Sequence, residues 1–154
     1  MLNRSSACAV EPLAPRSRVL ISSTSSDAHT WNLVFLQLLV GEHGHEVHNL
    51  GACVPVELLV RECTRRSPEL VVLSSVNGHG ARDGVAAARA IRCVPALASL
   101  RVVFGGKLTT DGSLAPAERR ALNDAGVDAV FTGPSAAEEF RRILAPAHAD
   151  AAAA

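Results

Sequence analysis

A chain of 154 residues is long enough to bury one sizeable core and short for two. Its 48% hydrophobic content argues against wholesale disorder, and its formal net charge of zero removes any general attraction to nucleic acid or anionic membrane. Arg65-Arg66 and Arg119-Arg120 are separate pairs on expected helix faces rather than a phosphate-binding patch. Cys8, Cys53, Cys63 and Cys93 form no C-x-x-C, and this much core needs no disulfide staple, so a cytoplasmic protein with reduced thiols is the expectation. The opening residues carry no apolar run of signal-peptide type, and no stretch approaches the length needed to span a bilayer.

Residues 1–16, broken by Pro12 and Pro15, read as a disordered arm, and the Ala-rich residues 146–154 as a disordered tail. Between them, over 17–145, apolar β-type runs alternate with helical periodicity. Ser17–Ser22 is a first strand. Trp31–Glu42, dense in Leu, Val and Phe, suits a largely buried helix stopped by Gly44. Glu46–Leu50 is a short strand, and Pro55 opens a helix whose apolar positions are Val56, Leu59, Val60 and Cys63. Leu70–Ser75 is apolar without alternation, as expected of a central parallel strand covered on both faces. A helix over Arg82–Arg92, a strand over Leu100–Phe104, a helix over Pro116–Asp124 and a strand over Asp128–Phe131 follow. A last helix, Ser135–Leu144, opens on Ser135 with Glu138 three residues on, the pattern of a capping box. Five strands alternating with five helices imply a flavodoxin-like parallel sheet in the order 2-1-3-4-5, with helices on both faces.

Ligands of such sheets bind beyond the carboxyl ends of the strands, at the switch point between strands 1 and 3. The loops there are Ser22–Thr30, Val76–Arg82 and Gly105–Asp111, each rich in small or polar residues, which leaves room for a large ligand. Asp27 and His29 are two apart. A carboxylate behind a loop histidine fixes its tautomer and raises its basicity, as at many metal-bound histidines. The same spacing also fits an Asp27 that caps the helix and a His29 at the surface.

Other motifs point elsewhere and fail on spacing. His43, His45 and His48 lie close in sequence, but His45 and His48 fall on opposite strand faces and no cysteine completes a zinc site. His79 stands at the same ligand edge, within N-G-H-G. Gly78-x-Gly80-x-x-x-Gly84 follows the third strand rather than the first, which disfavours a dinucleotide fingerprint. Gly105-Gly106-Lys107 lacks the Ser or Thr and upstream glycine of a P-loop. The third strand ends in Ser74-Ser75, without the Asp that a receiver domain phosphorylates.

Together the loops resemble the cobalamin-binding family, whose D-x-H-x-x-G motif is followed by S-x-L and then G-G. The closest resemblance is to the glutamate mutase (methylaspartate mutase) small subunits, and it covers residues 17–145. It rests on D-A-H-T-W-N from Asp27, H-E-V-H-N-L-G-A into Gly51, S-S-V-N-G-H-G from Ser74, F-G-G from Phe104 and D-A-V-F-T-G-P from Asp128. The resemblance implies adenosylcobalamin bound base-off, with His29 as lower axial cobalt ligand and Asp27 behind it. Ser26, Ala28, Thr30, Ser75, Val76, Gly78 and Lys107 would complete the cofactor site. Ser74 would bond the dimethylbenzimidazole, and Gly105 and Gly106 would allow close approach. It further implies an isomerase active only with a large barrel-type subunit, as a heterotetramer. The alternatives are a corrinoid carrier or methyltransferase corrinoid subunit, whose helical bundle the short arm here cannot form, and an assembly domain without corrinoid. Three positions depart from the pattern: Asn32 replaces the glycine, Val76 the leucine of S-x-L, and Asn77 an aromatic residue of the mutase subunit. Those changes bear on the fit of the corrin, and hence on the substrate.

Overall fold

The run L-V-V-L-S-S forms β3 (Leu70–Ser75) at the centre of the sheet, with all six residues buried. In this computed structural model, which describes residues 10–107 and 113–145, β3 pairs with β1 (Arg18–Ser23) on one side and β4 (Arg101–Gly106) on the other. Outside them lie β2 (Glu46–Asn49) and β5 (Ala129–Phe131), giving the order 2-1-3-4-5 with every pairing parallel. Parallel neighbours cannot be joined by a tight turn. The crossovers are therefore helical: α1 (Trp31–Glu42), α2 (Val56–Arg66), α3 (Gly80–Arg92) and α4 (Pro116–Ala125), with α5 (Ala136–Leu144) after β5. This is the flavodoxin-like sheet that the alternation of elements implies.

Successive strand residues face opposite sides, so the strands feed two cores. Leu20, Val71, Leu73, Val102 and Phe104 pack with α2, α3 and α4. Val19, Ile21, Val72 and Val103 pack with Leu33 and Val40 of α1 and Phe140 and Leu144 of α5. The small face of α3 lets it lie close to the sheet, and a Cβ on Gly84 would stand 2.6 Å from the Phe104 ring. Gly44 follows α1 at φ +83°, the left-handed stop expected of it.

Four differences from the sequence reading have physical causes. First, β4 extends through Gly105 and Gly106, which pair with Ser74 and Ser75 and so belong to the strand rather than the following loop. Second, Ser135 stands at the N-cap of α5, but its hydroxyl bonds Glu139 at 2.5 Å instead of a backbone N–H. Third, α1 is not largely buried: Asn32, Leu33, Leu39 and Val40 are, whereas Trp31, Val34, Phe35 and Leu38 are exposed. A helix apolar all round carries no polar stripe to mark its outer face. Fourth, the expected disordered arm is ordered from Val10 onward. Leu13 is buried against the α1–α5 core, and its N–H donates to Ile143 O at 2.8 Å. Residues 1–9 of that arm and the expected 146–154 tail lie outside the described residues. Leu13→Ala should cost about 2–5 kcal/mol in urea denaturation, the range for a buried leucine, and an unpacked arm would instead show no change.

Candidate functional site

The loop between β1 and α1 is built around Asp27. Its N–H donates to Thr24 O, and its carbonyl accepts from the Ser23 hydroxyl at 2.8 Å and from Cys53 N–H at 2.9 Å. Cys53 belongs to the turn that follows Gly51, whose carbonyl accepts Ser23 N–H. The H-E-V-H-N-L-G-A run thus braces the Asp27 loop from the β2 side.

The Asp27 carboxylate is fully buried and lies between the ends of β1 and β3. Its Oδ1 accepts His29 N–H at 2.9 Å and contacts His29 Nδ1 at 2.7 Å. Its Oδ2 accepts Val76 N–H at 2.6 Å and the Ser75 hydroxyl at 2.9 Å. Burial alone would raise the Asp27 pKa. The His29 and Val76 N–H groups, with the His29 ring and Ser75 hydroxyl, more than offset that and bring it from 3.8 to about 2. An ionised carboxylate only accepts hydrogen bonds, so the proton sits on His29 Nδ1. In the neutral ring Nε2 then carries a lone pair. The His29 side chain is 51% exposed, and Nε2 has no partner among the described residues. The dyad therefore presents an oriented, basic nitrogen at the carboxyl edge of the sheet.

The remaining expected residues divide into four groups. Ser26 donates to the Asp83 carboxylate and receives Asn77 Nδ2 on its hydroxyl at 3.0 Å, tying the β1 loop to α3. Gly78 N–H donates to Lys107 O at 3.3 Å, linking the loops after β3 and β4. Thr30 caps α1 through its carbonyl, which accepts Leu33 and Val34 N–H, while Ala28 is exposed. Ser74, Gly105 and Gly106 lie apart from the dyad, on the wall of a cleft of about 210 Å³ between α1, α5 and the ends of β3 and β4. The cleft is lined mainly by apolar groups, among them Trp31, Phe35, Phe131 and Phe140. A Cβ on Gly106, at φ +111°, would stand 2.2 Å from Ser75 O, so the neighbouring strand by itself requires glycine there.

Sequence reasoning missed three participants. Asn77, a departure from the family pattern, supplies Oδ1 to His79 N–H at 2.9 Å and Nδ2 to the Ser26 carbonyl at 3.2 Å, so it organises the loop after β3. Phe140 of α5 comes to the cleft from far along the chain. Asn32 is buried and donates Nδ2 to Ser74 Oγ at 2.8 Å, while its Oδ1 has no partner among the described residues. Its signals in the sequence are the departure from the family's glycine and a polar side chain in the first turn of a largely apolar helix. His43 bonds Leu39 O and His45 bonds Leu144 O, so these two of the clustered histidines serve different backbone partners.

Residues 17–141 match the B12 binding domain family. The chain belongs to that family. Among solved structures it is similar to a cobalamin-binding protein from Desulfitobacterium hafniense DCB-2, with TM-score 0.66 and 21% identity over 84% of this chain and 59% of that one. It is also similar to the Methanosarcina barkeri monomethylamine corrinoid protein, with TM-score 0.66 and 19% identity over 82% and 56% of the two chains. The Vibrio cholerae chemotaxis protein CheY4 shares the fold as well, at TM-score 0.64 and 11% identity over 83% and 95%. At these identities the likeness is one of fold. The B12-binding chain spans less than two thirds of the length of the first two proteins. No curated protein sequence matches it. Among the described residues no helix is long and apolar enough to cross a membrane.

The Asp27 carboxyl contributes stability that is complete above its ordinary pKa of 3.8 and is lost as pH falls through about 2. Asp27→Asn should therefore lower stability at pH 7 by about 2 kcal/mol and reduce the acid slope between those limits, measured by urea denaturation across pH. Part of the slope should persist, because Arg65 and Arg66 hold Glu62 at about 2 as well.

Proposed function

We propose that this chain is the cobalamin-binding small subunit of an adenosylcobalamin-dependent carbon-skeleton mutase of the glutamate mutase type. The observation that carries the corrinoid reading is the Asp27–His29 pair, whose Nε2 has no partner among the described residues, on the same edge of the sheet as an apolar cleft. A corrin brings its own equatorial nitrogens, so one axial imidazole is all that the protein must contribute to cobalt. The cleft also fits a planar aromatic tail: aromatic side chains line it, and Asn32 Oδ1 within it lacks a partner.

In this reading His29 Nε2 takes the lower axial position. Asp27 holds the Nδ1 proton and keeps the ring oriented. Ser74 meets the nucleotide base within the cleft, and the Ser26–Asn77–Asp83 contacts keep the rim of the site in register. When bound, adenosylcobalamin supplies an adenosyl radical through homolysis of its cobalt–carbon bond. The glutamate-to-3-methylaspartate specificity rests on the motif resemblance, and the substrate-binding residues would belong to a barrel-type partner subunit.

Mixing the chain with hydroxocobalamin should give a visible-spectrum change that His29→Ala abolishes. Cob(II)alamin bound to wild type should show imidazole-nitrogen hyperfine splitting in its paramagnetic resonance spectrum, and loss of neither signal in His29→Ala would remove the axial assignment. A corrinoid carrier or methyltransferase subunit would bind in the same way. Co-expression with a candidate barrel subunit and a glutamate-to-methylaspartate assay separates the two roles.

A further inference from the structure

Among the described residues, the cleft between α1 and α5 is lined by apolar groups except for one adjoining pair of side chains, Asn32 and Ser74. Asn32 is only 5% exposed, and Ser74 only 4%. Asn32 Nδ2 donates to Ser74 Oγ, so the Ser74 hydroxyl keeps its own proton for another acceptor. Asn32 Oδ1, buried and without a partner, needs a donor. The two side chains therefore offer the cleft one donor and one acceptor side by side. Turning the amide over exchanges which residue plays which part and keeps the same complement.

A planar group that satisfies both carries an acceptor next to an N–H donor. An aminopurine has that edge in a ring nitrogen beside its exocyclic amine; a lone asparagine reads it with its own amide pair, and here the Ser74 hydroxyl takes the place of the amide N–H. Dimethylbenzimidazole released from cobalt offers a single acceptor nitrogen flanked by carbon, which serves Ser74 and leaves Asn32 Oδ1 unmet. We propose that Asn32, with Ser74, selects corrinoids by their lower base, favouring an adenine-type base with an exocyclic amine over dimethylbenzimidazole. The inference rests on the reading of the cleft as the site of the corrinoid tail.

The test compares three corrinoids that differ only in the lower base: adenine, unsubstituted purine and dimethylbenzimidazole. Binding to the full chain is followed by quenching of Trp31, its sole tryptophan and part of the cleft wall, and checked by equilibrium dialysis. A base that coordinates cobalt weakly also leaves it more readily, so the deciding quantity is how the preference changes with the residue at position 32. Wild type should bind the adenine corrinoid roughly tenfold more tightly than the purine one, the size expected from satisfying one buried acceptor. In Asn32→Ala the ratio should fall to about two or less. Asn32→Gly, the residue of the family pattern, serves as the second variant should the alanine variant fold poorly. An adenine-to-purine ratio unchanged by both substitutions would overturn the selection by Asn32 while leaving corrinoid binding intact. Failure of all three corrinoids to bind wild type would overturn the corrinoid reading and this inference with it.

Discussion

The site depends on one buried carboxylate. Asp27 lies where the strand order reverses between β1 and β3, and a charge there is tolerable only because four hydrogen-bond donors surround it. Two come from its own loop and two from the end of β3. The same contacts that make its burial possible also staple two strand ends together and aim the His29 ring. Satisfying the buried carboxylate and orienting the ring are therefore one arrangement.

The small residues at the strand ends follow from that demand. Ser75 gives Asp27 a short hydroxyl that reaches from the adjacent strand, and Val76 gives it a backbone N–H, for which any non-proline residue would serve. This explains why Val76 can replace the leucine of S-x-L without disturbing the dyad. Gly106 is required by Ser75 O on the neighbouring strand, so its presence reports close strand packing as much as room for a ligand. Asn77 replaces an aromatic residue but takes on a different task, bridging the β1 and β3 loops through its amide.

The two faces of the sheet are built differently. Small residues on α3 allow close packing over Phe104 on that side. On the other side α1 and α5 diverge at the carboxyl edge and leave the cleft, with Trp31 65% exposed at its mouth. The asymmetry places the cavity at the carboxyl edge of the sheet, beside the first turn of α1.

The fold was legible in the chain because its cues are local: continuous apolar strands, helical periodicity between them, and a glycine stop after α1. Asp27 and His29 were legible as a pair because two residues of separation suffice to bring carboxylate and ring together. What the chain by itself left open was whether Asp27 caps the helix or is anchored elsewhere. The answer lies in Ser75 and Val76, 48 and 49 residues away, whose donors turn the carboxylate from a helix cap into a buried anchor. The outer face of α1, the anchoring of Leu13 on α5, and the meeting of Asn32 with Ser74 were likewise decided by tertiary structure. Each depends on what a side chain meets across the sheet, and periodicity along one segment carries no information about the far wall.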